Sequence, residues 1–436
     1  MKNKKRSTIL WLTAVIAVAG VGGWCLWPFV QQPDVPDGGG RVVVCIPVYG
    51  QSLALGEEAV RRTHFDRLRH DHQGRIVTER MDYQYGYQEN SSLKHFLKRL
   101  LRYRRRAFEL SVYAMADRLA ERTGSDTLIC VFAGGQGATG IAHLGKGTLP
   151  YTVFVENIRL AQRKATQHGW RFSVPAVCWM QGETDIVDRE GGRYRERLLQ
   201  FAADIDRDVR DITGQQDTVR LITYQTNAVT HAPSFSADRP DAADMAVPQT
   251  LLSLACGHPL FTASGPTYPY TFVDERIHID AVGQQSIGTL AAEAALRLLR
   301  HGEKSHILAP RQVETDGTEV TVHLSVPCPP LQIDTVLVSK ATHYGFSVRN
   351  AAGDDILLGV QVDSSTVRLH CREAADGCTV SYAVNGRPVT CGRLHGPRGN
   401  LRDLSSDSLG SGGGIRLLHH WCWQFLLPTG NYSVIE

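Results

Sequence analysis

Beyond residue 40 the chain alternates two hydrophobic textures. Short apolar, β-branched runs recur at Val42–Val48, Leu128–Phe132, Val174–Trp179 and Val219–Thr223, with a weaker one at Leu260–Thr262. Between them apolar residues return at helical spacing over Ser92–Thr123, Val153–His168, Tyr194–Thr213 and Met245–Leu254, and a last amphipathic stretch covers about Gly283–Arg300. Short buried strands alternating with helices predict an α/β fold, a parallel sheet covered by helices on both faces. Crossover connections then bring the C-terminal ends of all its strands to one edge.

After about Lys304 the texture changes. Glu319–Val326, Thr335–Ser339, Ser365–His370 and Cys378–Val384 read as strands between Gly, Asp, Asn and Pro turns, and no helical period survives. Residues 305–436 are therefore expected to form a β-sandwich-like, all-β accessory domain behind an α/β domain spanning 42–304. Ser408–Gly414 reads as a flexible loop within it, and Gly396–Asp403 as a turn-rich rim loop without a catalytic role.

The N-terminus differs from both. Lys2, Lys4, Lys5 and Arg6 precede an uncharged stretch from Thr8 to Val30, long enough as a helix to span hydrocarbon. Lys/Arg on its near side favour a cytoplasmic N-terminus and an exported body. Residues 1–30 thus read as a membrane anchor, or as a signal segment cleaved near Ala17-Val18-Ala19, and 31–41, rich in Pro, Asp and Gly, as a linker.

Composition narrows the classes. The 436 residues carry 47 basic and 44 acidic side chains, a formal charge of +3, too balanced for a general nucleic-acid binder. A hydrophobic content of 42% excludes a disordered chain. The ten cysteines include no CxxC and no cluster of zinc-like spacing. Cys45, Cys130 and Cys178 sit in strand-like runs as buried hydrophobes, while spacing leaves the pairing of Cys371 with Cys378 open. The basic run Lys94–Arg106 reads first as a solvated helix face. Its functional alternative is an electrostatic platform for an acidic glycan or an anionic membrane surface.

Unusual polar residues fall where the strands end. The first strand runs into Tyr49-Gly50-Gln51-Ser52, the second into Gly134-Gly135-Gln136-Gly137, and the third into Trp179-Met180-Gln181-Gly182-Glu183-Thr184-Asp185. The fourth ends in Tyr224-Gln225-Thr226-Asn227, and Asp274-Glu275-Arg276-Ile277-His278 precedes the last helix. In open α/β sheets ligands bind outside the carboxyl ends of the strands, so five such clusters converge on one site. Ser52, on a Gly-containing turn, is the candidate nucleophile. It needs a base, and His278 is the best placed, oriented by a carboxylate three or four residues earlier. The Ser52 and Gly137 N–H groups and the Gln181 amide are candidate oxyanion donors. Gln51, Glu183 and Gln225 are candidate substrate contacts. Glu183 and Asp185 also permit a glycosidase reading, but two positions apart they suit a loop-fixing role better. Trp179 reads as core.

GQS, GQGATGI, WMQGETD and the late carboxylate–His together resemble the SGNH-hydrolase superfamily, and within it the sialate O-acetylesterase-like carbohydrate esterases. The resemblance covers roughly residues 41–300, with WMQGETD its most specific block. It implies a flavodoxin-like three-layer fold and deacetylation of a carbohydrate by a serine mechanism with no metal or other cofactor. Three departures matter. Leu53 stands where the family has Asn; Ala138 and Gly140 replace Gly and Ser; and Glu275 stands three before His278 where the family has Asp. Glu275 is accordingly the expected triad acid and Asp274 its competitor. The rival expectations are a catalytically degenerate surface glycan-binding protein and an acyltransferase.

Overall fold

Two prolines shape the sheet. In the computed structural model, which describes residues 40–60, 63, 65–78, 108–236, 241–405, 407–408, 417–430 and 432–433, the first strand line is split into β1 (Val42–Cys45) and β2 (Val48–Gly50). The third is split into β5 (Arg171–Ser173) and β6 (Ala176–Met180). Pro47 and Pro175 stand in these gaps; neither has an N–H to give a neighbour, so the regular ladder lapses there. Carbonyls still bridge the break, Cys178 N–H donating to Pro47 O at 2.9 Å. The second line is β3 (Thr127–Cys130) with β4 (Ala133–Gly135), and β7 (Arg220–Gln225) and β8 (Phe261–Pro266) complete the series.

All pairings are parallel, and the lines run β3/β4, β1/β2, β5/β6, β7, β8. In chain order that is 2-1-3-4-5, the flavodoxin-like arrangement. Its switch point, where the chain turns from one side of the first strand to the other, lies between the ends of β2 and β6.

Successive strand residues face opposite layers. Tyr49 and Trp179 pack with Phe154 of α3 (Leu149–Gln167) and Phe201 of α5 (Tyr194–Thr213). Their neighbours Val48, Cys178 and Met180 meet Met115 of α2 (Ser111–Arg122) and Ile287 of α7 (Ala281–His301). The short helices α1 (Phe65–Asp71) and α4 (Glu183–Val187), and α6 (Ala246–Gly257) beside α5, complete the helical set among the described residues. Trp179 is wholly buried and belongs to the core. Cys45, Cys130 and Cys178 are buried too, and Cys371 and Cys378 are free thiols.

The C-terminal region is antiparallel. One sheet orders Leu357–Val362, Thr366–Cys371, Glu319–Ser325, Ala309–Asp316 and Tyr432–Ser433; a second joins Phe346–Arg349, Thr379–Tyr382 and Phe425–Pro428. The residues expected as a strand at 335–339 form turns instead. Asp334 Oδ1 accepts from the N–H groups of Val336 and Leu337 at 2.9 and 2.8 Å, a local bond that competes with a ladder and leaves Val336 in solvent. Asn400, expected on a rim loop, is wholly buried and donates to the carbonyls of Asp334 and Val338.

Both parts belong to one compact unit, Gly38–Glu436. Gln225, at the end of β7, shows how they join. Its Nε2 donates to Pro248 O and Gln424 O, and its Oε1 accepts from Gln424 N–H at 2.7 Å. The side chain is wholly buried and fully engaged, so the expected substrate contact is instead a structural tie. Gln225→Ala, which strands the Gln424 N–H and two carbonyls, is expected to cost about 2–4 kcal/mol, measured by urea unfolding.

Several expectations fall wholly or partly outside the described residues: the segment 1–30, most of the linker 31–41, the first part of the helical stretch 92–123 with its basic run 94–106, and most of the loop 408–414. Among the described residues no helix is long and apolar enough to cross a membrane.

Candidate active site

The end of β2 is crowded by design of its glycines. A Cβ on Gly50 would lie 1.9 Å from Met180 O, and one on Gly135, whose φ is +118°, would lie 1.8 Å from Gly50 O. Only bare backbone lets the three strand ends meet here. Gln51 N–H donates to Met180 O and Gln136 N–H to Gly50 O, both at 3.0 Å. Beyond them the chain coils through a tight turn from Gln51 to Glu58, closed by Leu55 and Glu57 N–H groups donating to Ser52 O at 3.1 Å. Ser52 opens this turn at the switch point. Its hydroxyl and its N–H make no hydrogen bond among the described residues, although the residue is only 4% exposed.

His278 arrives from the other end of the chain. Val273 N–H donates to His278 O at 2.7 Å and Asp280 N–H to Thr271 O at 2.9 Å, closing a small loop. Asp280 then caps α7 through Gly283 N–H at 2.8 Å. On α7, Gln284 Nε2 donates to Leu53 O at 2.9 Å, which ties this helix to the residue after Ser52. The imidazole itself meets the same turn: His278 Nδ1 lies 2.9 Å from Glu58 Oε2.

That contact corrects the expected triad acid. Glu275 does not reach His278. Its two carboxylate oxygens lie 2.9 and 2.8 Å from Nδ1 of His395, and its carbonyl accepts from Cys391 N–H at 2.7 Å. The reason is backbone geometry: Asp274 and Glu275 both have left-handed φ values of 52° and 55°, which turn the loop toward the C-terminal region. Asp274 makes no side-chain hydrogen bond among the described residues. Glu58, also at a left-handed φ of 65°, is the carboxylate that contacts the His278 ring.

The third strand end is a buried polar network. Gln181 is wholly enclosed, and both its N–H groups are spent, on Thr139 O at 3.2 Å and on Asp185. The expected oxyanion donor is therefore a brace for the 139–141 loop, and its Oε1 is left without a partner. Asp185 also accepts from Ile141 N–H at 3.0 Å, the loop-fixing role expected of it. Gln51 is buried, its Oε1 turned to Thr184 N–H at 3.4 Å rather than outward. Gly137 stays at the rim, half-buried, its N–H free among the described residues, with Glu57 so near that a Cβ would fall 2.6 Å from Oε1.

Glu183 is 2% exposed; Tyr224 OH donates to its Oε1, while Oε2 has no partner. Burial pushes its carboxyl above the usual carboxylate range, against the Tyr224 and Thr226 hydroxyls and the charge of His278. A raised folded-state value means that stability is complete below the unfolded pKa of about 4.3 and falls as pH climbs through the folded value. Glu183→Gln is thus expected to stabilise the fold at neutral pH by something on the order of 1 kcal/mol, with the gain vanishing near pH 4. Denaturation midpoints at the two pH values check it.

Sequence reasoning missed Glu58 and His395. Glu58 carried a signal, since a carboxylate six residues past a serine on a tight turn can swing back to the same edge. His395 carried none, because its partner lies 120 residues away.

The parallel 2-1-3-4-5 sheet carries Ser52 at its switch point, Glu58 ties His278 to the turn that Ser52 opens, and the family that matches makes the chain a carboxylic ester hydrolase. The chain belongs to a particular family of them: residues 48–297 match the family of carbohydrate esterases described as sialic acid-specific acetylesterase. Among solved structures it resembles a carbohydrate acetylesterase from Xanthomonas citri, 17% identical, covering 89% of this chain and 80% of that one, with a TM-score of 0.55. NanS aligns at 14% identity over 60% of this chain and 99% of its own, with a TM-score of 0.42. A protein from Arabidopsis thaliana aligns at 14% over 59% and 98%, with a TM-score of 0.40. No curated protein matches the chain.

Proposed function

We propose that this carbohydrate esterase removes O-acetyl groups through an acyl-enzyme on Ser52. Ser52 Oγ attacks the acetyl carbonyl while His278 takes its proton, and the Ser52 and Gly137 N–H groups receive the oxyanion. His278 then protonates the departing sugar oxygen. Water, deprotonated by the same imidazole, cleaves the acyl-serine to acetate and restores Ser52. The observation that supports this most is the Glu58–His278 contact at 2.9 Å: with Nδ1 held, the other ring nitrogen is left to exchange a proton with the hydroxyl at the head of the same turn. The family match and the carbohydrate acetylesterase from Xanthomonas citri favour an acetylated sugar as substrate. The Lys/Arg cluster ahead of Thr8–Val30 favours an exported body on an N-terminal anchor.

Acetate release from O-acetylated sialic acid, acetylated xylan and peracetylated simple sugars tests the substrate class. At least one is expected to turn over well above p-nitrophenyl acetate in kcat/KM. Hydrolysis of the aryl ester alone would overturn the carbohydrate assignment.

A further inference from the structure

We infer that Cys328, Asp403 and His420 form a binding site for one thiophilic divalent cation of the zinc class, on the C-terminal region. Cys328 Sγ, a ring nitrogen of His420 and a carboxylate oxygen of Asp403 all lie within 4.8 Å of one another. Three atoms so disposed share a point no more than about 2.8 Å from each, so a modest inward rotation of the side chains reaches the 2.0–2.3 Å of zinc–nitrogen, –oxygen and –sulfur bonds.

The cluster is held by backbone before any ion arrives. Cys328 N–H donates to Asp403 Oδ2 at 3.1 Å, and Leu404 N–H returns a bond to Cys328 O at 2.9 Å. Asp403 N–H donates to His420 O at 3.0 Å, while His420 and Ser405 N–H groups donate to Asp403 Oδ1 at 3.1 and 3.0 Å. Segments 75 and 17 residues apart are thereby clamped around one wholly buried carboxylate. His420 Nδ1 sits 2.7 Å from Asp403 Oδ2, so the ring is already oriented. Two ligand arrangements satisfy this geometry: Asp403 as a direct third ligand, or as the carboxylate that fixes a metal-bound imidazole.

Ligand chemistry selects the ion. A thiolate and an imidazole disfavour calcium and magnesium, which take oxygen, and favour zinc-like cations. One thiolate and one carboxylate also neutralise a double positive charge. The guanidinium of Arg402, next in the chain to Asp403, pairs with the Asp334 carboxylate at 2.7 Å and donates to the Asp403 carbonyl at 2.8 Å, so its own charge is balanced by Asp334. Cys328 lies at the surface, which gives the ion a route in. The long separations explain why spacing in the sequence showed no such cluster. The site stands apart from ester hydrolysis and would act as a staple for the three segments.

The test uses the full chain, freed of metal with a chelator and titrated with Co²⁺. One equivalent is expected to bind and to produce sulfur-to-cobalt charge-transfer absorption, which Zn²⁺ then displaces. Cys328→Ser, a surface change, is expected to remove that absorption and weaken binding at least about 100-fold, and His420→Ala to weaken it comparably. Zn²⁺ is expected to raise the melting temperature of the unsubstituted protein but not of Cys328→Ser. Absence of the absorption in the unsubstituted protein, or its persistence in Cys328→Ser, would overturn the site.

Discussion

Replacing Ser52 with alanine is expected to lower kcat/KM for an acetyl ester by about 10⁴–10⁶-fold. The loss should fall on kcat, because the hydroxyl is the bond-forming group and contributes little to ground-state binding. His278→Ala is expected to lose a similar amount, since without a base the hydroxyl is a poor nucleophile at neutral pH. The informative case is the double variant. Groups that act as one unit are not additive, so it should be little worse than either single change. Independent, multiplying losses would mean that the two residues serve separate steps. Steady-state kinetics with p-nitrophenyl acetate and folded variants suffice. Turnover in Ser52→Ala equal to that of the unsubstituted enzyme would remove the acyl-enzyme mechanism altogether.

The fold was legible to the extent that it depends on local pattern. Apolar runs located the strand lines, and helical spacing located α5 and α7 nearly to the residue. The prolines at 47 and 175 could not be read as mere interruptions from pattern alone, because the runs stay apolar through them. At the site, legibility followed the backbone. Ser52, Gly137 and Gln181 were placed at one edge by the rule that parallel strands end together. What their side chains do there was not legible. Gln181 and Gln51 point into buried networks rather than toward a substrate, and Gln225 is taken by Gln424, a partner 199 residues away. For these glutamines the buried partners decide that the polar group satisfies a neighbour, whereas Ser52, buried too, has no such partner among the described residues. Burial depends on how the C-terminal region covers β7, which no short window records.

The same limit explains the acid. A carboxylate three residues before a histidine is the natural choice while the chain is read as a line, yet two consecutive left-handed residues turn Glu275 toward His395. Glu58 and Glu275 therefore make opposite predictions. Glu58→Gln keeps the shape at the imidazole but removes the charge that stabilises the imidazolium and selects the tautomer. Loss of an enclosed acid of this kind costs about 10⁴ in kcat. Glu58 is 55% exposed, and solvent screens its charge, so a smaller loss of about 10²–10³ is expected, concentrated in kcat with KM little changed. Glu275→Gln still offers His395 a hydrogen-bond acceptor and touches no reacting atom; its kcat should stay within about threefold of the unsubstituted enzyme. Parallel measurement of the two variants separates the assignments in one experiment. A full loss in Glu275→Gln beside an active Glu58→Gln would mean that the loop closes differently during turnover, with Glu275 swung back onto His278.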